Sequence, residues 1–195
     1  MDPQAVQKQS EALRTLKEIS RALNNEGETS VLLEMIVDRA LRHTRAERGF
    51  LVIREPSGAL DVLAARQLNR SQIDHPTFKI SRSIIDEVMR TAQPVILENA
   101  KDDPMFAAHQ SVVLNKPMSL ACLPMKLKGG VVGVLYLDSR LRVGLFPPGD
   151  TMILEMFADL AATAILVARL TVQLRMGGAP VAQEERKPAA EAPGA

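Results

Sequence analysis

The sequence predicts an α+β fold in which helices surround a mostly antiparallel sheet. Two amphipathic helical segments precede any strand, and one long apolar helix follows the last strand. Between these helices, two pairs of short apolar runs are each joined by a turn-forming segment, residues 56–58 in the first pair and Gly129-Gly130 in the second. Tight turns join antiparallel strands, whereas parallel strands need long crossovers. This order therefore opposes a doubly wound parallel sheet.

The amino-terminal part of the chain carries two helix patterns. Over residues 4–25, apolar residues recur at steps of three and four without a proline, which is typical of an amphipathic helix. After a polar turn at residues 24–27, Thr29 or Ser30 can cap a second helix. The positions that we expect on the core face of the second helix are Leu32, Leu33, Ile36, Val37, Ala40 and Leu41.

The middle of the chain predicts one hairpin and several shorter elements. Residues 49–53 and 60–65 are apolar and partly β-branched, and the turn between them predicts that they pair as two strands. Further along the chain, the acidic pair Asp102-Asp103 followed by Pro104 indicates the start of a short helix. The remaining elements are, in order, a short strand at residues 78–80, a helix capped by Ser81, a short strand at residues 94–97 and a short helix from Asp102 to about Val113.

The last third predicts a second hairpin, a long helix and a tail. Residues 119–127 and 131–138 flank the Gly-Gly pair, which suits a turn that needs positive φ. Residues 149–176 form the last helix, which is apolar over most of its circumference. The final residues are rich in Ala, Gly and Pro, a composition that cannot offset the cost of ordering. We therefore divide the chain into an amino-terminal helix (1–27), a domain (28–176) and a disordered tail (177–195).

Composition argues against several classes of function. Lys+Arg 24 against Asp+Glu 23 gives a net charge of +1, and nucleic-acid affinity depends on many basic residues. The chain has no Trp, and Tyr136 is its one tyrosine, so stacking platforms for single strands are scarce. Cys122 is the one cysteine, which excludes intrachain disulfides, Cys-rich zinc sites and paired redox cysteines. We expect no nucleic-acid partner.

The amino-terminal residues and the most apolar stretch of the sequence predict a cytoplasmic location. The first residues lack the basic and then apolar run of a signal peptide. The most apolar stretch, residues 152–168, is interrupted by Glu155 and Asp159, well short of the roughly 20 apolar residues that span a bilayer. We therefore expect no membrane-spanning segment.

Six short segments carry a resemblance to a known family. They are residues 48–52, 81–84, 91–95, 99–106, 119–124 and 133–138, and Phe146 and Asp150 follow them. In this order they closely resemble a GAF domain, the sensory fold related to PAS domains, and they look most like the GAF domains of bacterial enhancer-dependent activators, kinases and cyclases. The resemblance implies three layers, α/β/α, with a central antiparallel sheet of five or six strands and long terminal helices.

The ligand is left open, since GAF domains bind cyclic nucleotides, haem, bilins or amino acids, and some bind nothing known. Members that bind cyclic nucleotides carry Asn-Lys after a strand, then Phe, and then Asp-Glu at the start of the last helix. The corresponding residues here are Asp138-Ser139, Phe146 and Asp150-Thr151. Because Ser139 replaces the lysine, we expect no cyclic-nucleotide binding. We interpret Asp150 as a helix cap.

Other GAF chemistries find little support in the residues. The bilin-binding cysteine is commonly followed by histidine, whereas Leu123 follows Cys122, so we interpret Cys122 as a buried core residue, with redox sensing as the alternative. Methionine sulfoxide reductases of this fold need several cysteines. We expect His43 to be a solvated cap and His109 to be a surface residue rather than a ligand of haem or metal. With no catalytic motif, we expect no enzymatic activity and leave the cofactor unknown.

The resemblance also implies a pocket between the sheet and a short lid helix. We expect a non-catalytic sensor, with the buried Tyr136 hydroxyl bonded to a ligand, to water or to the backbone. The alternative is an adaptor for protein contacts, its pocket filled by Met105, Phe106 and Met118. The predicted ligand wall comprises Phe50, Ile53, Phe106, Ser111, Cys122 and Tyr136.

The two terminal helices predict a homodimer that communicates with a separate effector protein. The last helix carries more apolar residues than a single stripe needs, so we expect it to face both the sheet and a partner helix. Heptad-like spacing predicts two seams. One seam comprises Val6, Leu13, Leu16 and Leu23, and the other comprises Ile153, Phe157, Leu160, Ala164, Val167 and Leu174.

Overall fold

The computed structural model describes the chain in four stretches, residues 29–68, 80–99, 117–128 and 130–175, with side chains described as far as residue 170. Three helices, five strands and one 3-10 turn lie within these stretches. In chain order they are α1 (Thr29–Thr44), β1 (Arg48–Arg54), β2 (Leu60–Gln67), α2 (Arg82–Thr91), β3 (Val95–Leu97), β4 (Ser119–Leu127), β5 (Gly130–Ser139), the 3-10 turn (Pro148–Asp150) and α3 (Thr151–Arg175).

Some predicted elements lie outside the described residues. They are the amino-terminal helix at residues 4–25, the short helix from Asp102 and the tail at residues 177–195. Two residues of the strand predicted at residues 78–80 also lie outside, and its third residue, Ile80, lies in a bend rather than in a strand.

The five strands form one sheet in the order β2-β1-β5-β4-β3, and every neighbouring pair is antiparallel. Both predicted hairpins are confirmed, β1 with β2 and β4 with β5. Leu127 pairs with Gly130 at the end of the second hairpin, where Gly130 has a φ of +126°, a conformation that favours glycine. The α+β class predicted from the sequence is therefore confirmed.

The sheet separates two apolar clusters, because successive side chains of a strand point to opposite faces. On one face, named the α1/α3 face, the strands pack against α1 and α3. On the other, named the α2 face, they pack against α2. The predicted α/β/α layering follows from this arrangement. The buried strand residues of the α2 face are Phe50, Val52, Leu97, Leu120, Cys122, Val134 and Tyr136.

Helix α1 covers one half of the α1/α3 face. All six apolar residues predicted for its core side are buried. The helix ends where Arg45 takes a left-handed conformation, φ 63°, and donates its N–H to the Leu41 carbonyl at 2.8 Å. Thr44 closes the last turn by donating its hydroxyl to the Ala40 carbonyl at 2.9 Å. This compact end brings the chain directly into β1.

Helix α2 covers the opposite face through Ile84, Ile85 and Val88. Ser81 stands at its N-cap position with an extended backbone, as predicted. Its side chain makes no capping hydrogen bond to the helix, however, and its hydroxyl lies 3.3 Å from the Ser83 hydroxyl. The prediction of a side-chain cap at Ser81 is therefore wrong.

Helix α3 completes the α1/α3 face and is the most apolar element. The stretch Pro148–Leu170 is long and apolar enough to cross a membrane by length and composition, and 39% of its most apolar window is buried. The buried side chains pack on the sheet and on α1, so core packing accounts for part of its apolar character. The expectation that this stretch falls well short of a membrane span in length and composition is therefore wrong, and the absence of a membrane-spanning segment stays a prediction. They include Leu154, Ala158, Ala161, Ala162 and Ile165.

Candidate functional site

Three of the predicted ligand residues lie side by side on the α2 face, on three adjacent strands. Phe50 of β1 lies opposite Tyr136 of β5, and Tyr136 in turn lies opposite Cys122 of β4. The two rings meet edge to face, with centroids 5.8 Å apart and an interplanar angle of 74°. All three side chains are fully buried. The antiparallel register thus builds one continuous wall from residues far apart in sequence.

The placement of Ile53 in this wall is wrong. Ile53 packs in the cluster of the α1/α3 face, together with Leu51. It lies three positions after Phe50 in an alternating strand, and an odd separation sends a side chain to the opposite face. Phe106 and Ser111, the other two predicted wall residues, lie outside the described residues.

Tyr136 brings a polar group into this apolar wall. Its hydroxyl accepts a hydrogen bond from the Ser81 backbone N–H at 3.4 Å, where the chain enters α2. A phenol hydroxyl can also donate its own proton to an acceptor. Burial, with the nearby Asp138 carboxylate as a second cause, raises the pKa of Tyr136 well above its ordinary range. The side chain is therefore a neutral hydrogen-bonding group.

Cys122 is a buried thiol in the same wall. Burial raises the pKa of its thiol far above the ordinary range. Reactive and redox-sensing cysteines depend on the thiolate and are partly exposed, so this environment opposes both roles. The geometry supports the interpretation of Cys122 as a core residue.

A buried ion pair, not predicted from the sequence, lies on the α2 face beside the wall. Arg48 at the start of β1 pairs with Asp138 at the end of β5 in the sheet register. The Arg48 guanidinium donates two hydrogen bonds to the Asp138 carboxylate, one from Nε to Oδ1 at 2.7 Å and one from Nη2 to Oδ2. Its carbon atom Cζ lies 5.9 Å from the Phe50 ring centroid, so the cation also contacts the aromatic wall.

Burial and the Arg48 guanidinium have opposite effects on the pKa of the Asp138 carboxyl. Burial raises the pKa of the Asp138 carboxyl, and the Arg48 guanidinium counteracts that rise. The sequence signal for the pair is slight: one charged residue at each end of two apolar strands. Only the register of β1 against β5 shows that Arg48 and Asp138 meet.

A family model described as GAF domain matches residues 28–165. The chain belongs to the GAF domain family. Among curated relatives it is 24% identical over 170 residues to the Nif-specific regulatory protein of Azospirillum brasilense, covering 84% of this chain and 27% of that protein. It is 30% identical over 98 residues to hybrid signal transduction histidine kinase G of Dictyostelium discoideum, covering 50% of this chain and 3% of that protein. The chain thus spans about a quarter or less of these relatives.

Solved structures share the GAF fold at low sequence identity. The GAF domain from an Acinetobacter phosphoenolpyruvate-protein phosphotransferase aligns with a TM-score of 0.63 and 17% identity, over 87% of this chain and 97% of that one. The free methionine-R-sulfoxide reductase from Neisseria meningitidis, solved in complex with its substrate, aligns with a TM-score of 0.60 and 16% identity, over 82% of this chain and 91% of that one. At these identities the likeness concerns the fold.

In this GAF domain, Asp138 and Ser139 hold structural bonds at the positions compared with the Asn-Lys of cyclic-nucleotide members. Asp138 is bound by Arg48, and the Ser139 hydroxyl donates to the Glu47 carboxylate at 3.0 Å. A nucleotide contact at either side chain would compete with these bonds. The absence of cyclic-nucleotide binding stays a prediction, with this geometry in its favour.

His43 has a different environment from the one predicted. The side chain is 12% exposed rather than solvated, and its Nε2 lies 3.5 Å from Oδ1 of Asp150. Asp150 comes directly before α3, as expected for a cap, and is itself buried. The prediction of a solvated cap is wrong because the turn before α3 folds over the end of α1. In the described part of the chain, no group of three or more His, Cys, Asp or Glu residues could hold a metal ion.

The wall makes folding sensitive to alkaline pH. A folded-state pKa above the unfolded value keeps the proton on the folded protein, so stability falls as pH rises past the unfolded values, about 8.5 for cysteine and about 10 for tyrosine. The pKa values of Cys122 and Tyr136 are both raised in the folded protein. Above its unfolded pKa, each of these residues should lower the free energy of unfolding by about 1.4 kcal/mol per pH unit.

Urea unfolding between about pH 8 and pH 11 measures this dependence, since the range includes both unfolded pKa values. In Cys122→Ala and Tyr136→Phe the stability should decline less steeply with pH than in the wild type. Slopes, not absolute stabilities, are compared, because both variants also change core packing. Parallel profiles for all three proteins would contradict the prediction.

Proposed function

We propose that this GAF domain is a non-catalytic sensory or regulatory module of cytoplasmic signal transduction, which binds a small molecule at the α2 face. The observation that carries the proposal is the wall of Phe50, Cys122 and Tyr136, three buried side chains that bring one hydroxyl into an apolar layer and have one buried ion pair at their edge. Small-molecule sites combine apolar walls with few polar groups in this way. Regulators and a kinase among the relatives support a signalling role.

A non-catalytic role agrees with the chemistry of the wall. Its one thiol and its one phenol are both held in the protonated form by burial, so neither is an activated nucleophile or base. The sulfoxide reductase that shares the fold is an enzyme. The chain has a single cysteine, however, and a disulfide-forming reaction cycle needs more than one.

Ligand binding is tested by a thermal-shift screen of the full chain against small metabolites, with mass spectrometry of compounds released from the purified protein. We expect a compound other than a cyclic nucleotide to stabilise the wild type, by about 2.7 kcal/mol at roughly 100 times its Kd. Tyr136→Phe keeps the ring and removes the hydroxyl, so it should weaken this effect. Ser57→Ala removes an exposed hydroxyl in the first hairpin turn and should leave the effect unchanged.

If no compound is released and none stabilises the wild type, the ligand-binding proposal fails. The alternative is then an adaptor that acts through protein contacts alone. The full burial of Phe50, Cys122 and Tyr136 favours that alternative, because packing within the chain can already fill the space beside the wall. An effect that survives equally in Tyr136→Phe would remove the hydroxyl from the site.

We also propose that the domain pairs through α3, with a corrected seam. Phe157 and Ala164 of the predicted seam are buried in the core. The exposed apolar residues towards the carboxyl end are Leu166, Val167 and Leu170, at helical spacing. The predicted partner seam at residues 4–25 lies outside the described residues. An exposed apolar stripe on a long helix suits a partner helix.

Light scattering of the full chain tests this pairing. We expect a dimer at tens of micromolar, and we expect the double variant Leu166→Glu, Leu170→Glu to raise the dissociation constant at least about tenfold, which is about 1.4 kcal/mol. Val31→Glu changes an exposed apolar residue of α1 and serves as the control. A monomeric wild type, or a dimer that the double variant leaves intact, would contradict pairing through this stripe.

A further inference from the structure

The loop after β5 exposes a large apolar side chain. Leu141 is 77% exposed, Val143 in the same loop is 49% exposed, and Leu68, directly after β2, is 40% exposed. Leu68 and Leu141 line a groove of about 450 Å³. The other residues that line this groove are Arg45, Glu47, Gln67 and Arg142. The six residues that line the groove, together with Arg140, are named the loop patch.

The loop is fixed by hydrogen bonds although its tip is exposed. Oε2 of Glu47 accepts from the Ser139 hydroxyl and from the backbone N–H groups of Arg140 and Leu141. Oγ of Ser139 in turn accepts from the N–H groups of Leu141 and Arg142, at 3.2 and 3.1 Å. The Ser119 hydroxyl donates to the Arg142 carbonyl at 2.9 Å. One carboxylate and two hydroxyls therefore hold the backbone of the loop in one conformation.

An exposed leucine on an ordered loop indicates a role in binding rather than in folding. The packing of the domain does not use the Leu141 side chain, since three quarters of its surface is exposed. A loop that is already ordered loses little conformational entropy when a partner binds, which improves affinity. An exposed leucine on such a loop, beside a groove and a second apolar residue, has the properties of an interaction site.

Charge selects the kind of partner. Arg45, Arg140 and Arg142 form no ion pair with any carboxylate in the stretches that the structure describes. The one carboxylate of the patch, Glu47, accepts hydrogen bonds from the loop backbone. Arg45 and Arg142 therefore place more positive than negative charge on the lining of the groove, and complementary surfaces of opposite sign steer and orient association.

We propose that the loop patch docks an acidic segment of a partner protein, a segment that carries one large apolar side chain flanked by Asp or Glu. The apolar side chain enters the groove between Leu68 and Leu141, and the flanking carboxylates pair with Arg45 and Arg142. This surface is separate from the wall of Phe50, Cys122 and Tyr136, so docking does not depend on the proposed ligand.

A peptide-display selection on the full chain tests the proposal. Random peptides are selected on the wild type and depleted on Leu141→Ser, and we expect the survivors to carry Asp or Glu on both sides of one large apolar residue. The most enriched peptide is then labelled and titrated by fluorescence anisotropy. Leu141→Ser and Arg142→Glu should each weaken its binding at least about tenfold, the effect of a hot-spot residue. Added salt should weaken binding to the wild type more than to Arg142→Glu.

Two variants of the same chemistry at other surfaces serve as controls. Val31→Ser removes an exposed apolar side chain from α1, and Arg82→Glu reverses an exposed charge at the start of α2. Both should bind the peptide as the wild type does. Selection of peptides without acidic residues, no enrichment at all, or equal binding to Leu141→Ser would overturn the proposal. A chain that self-associates through Leu141 in light scattering would also overturn it, since the occupant would then be a second copy.

Discussion

Gly133→Ala is expected to lower the free energy of unfolding by about 3 kcal/mol. Gly133 lies in β5, at the centre of the sheet, opposite Ile53 on one side and Met125 on the other. A Cβ at this position would lie 2.3 Å from the Val52 backbone oxygen and 2.4 Å from the Cε atom of Met125. Met125 can rotate away, but the Val52 carbonyl belongs to β1, so the methyl group must push two paired strands apart.

Urea unfolding measures this effect, with Gly149→Ala as the matched control. A Cβ at Gly149 would meet no atom within 4 Å, so the control should change stability by no more than about 0.5 kcal/mol. The loss of chain entropy in the unfolded state favours alanine at both positions, and the comparison removes that contribution. Equal stabilities for the two variants would show that β1 and β5 do not approach each other as described.

The parts of the fold that were predicted correctly depend on local signals. The pattern of apolar residues in α1 identified its buried side, since a helix repeats every 3.6 residues whatever it packs against. The Gly129-Gly130 pair likewise marked the turn between β4 and β5, because few other residues adopt positive φ. Each of these signals lies within a few residues of the feature that it predicts.

The error at Ile53 has a physical cause in the composition of β1. The first six residues of this strand are all buried, because the strand is covered by helices on both faces. A strand buried on both sides lacks the alternation of polar and apolar residues that shows which face is which. The sequence could therefore indicate that Phe50 and Ile53 are buried, but it gave no sign that they face opposite layers.

Contacts between distant residues could not be read from the sequence for a different reason. Arg48 and Asp138 are 90 positions apart, and His43 meets Asp150 through a turn that precedes another helix. Neither pair leaves a local pattern, because a charged residue at the end of a strand is as common on the surface as in a buried pair. The sheet register decides the first contact, and the packing of α3 on α1 decides the second.

Among the ion pairs that the structure describes, the buried pair of Arg48 and Asp138 should show the strongest coupling. Removing one partner, as in Arg48→Met or Asp138→Leu, leaves the other charge buried and uncompensated, which costs about 3–5 kcal/mol. The double variant removes both charges and fills the site with apolar atoms. We expect it to be more stable than either single variant, since buried pairs can often be replaced by apolar residues at little cost. Urea unfolding of the four proteins gives the coupling energy.

The exposed pair of Arg54 and Asp86 supplies the control for this cycle. Its side chains are 39% and 57% exposed, so Arg54→Met and Asp86→Leu should each cost no more than about 1 kcal/mol. If the single variants of the buried pair do not fold, a folded double variant still shows the coupling, because only compensation can restore it. Additive losses at Arg48 and Asp138 would mean that each charge finds water or another partner. The two side chains would then contribute separately, and the α2 face would not have a charged pair fixed at its edge.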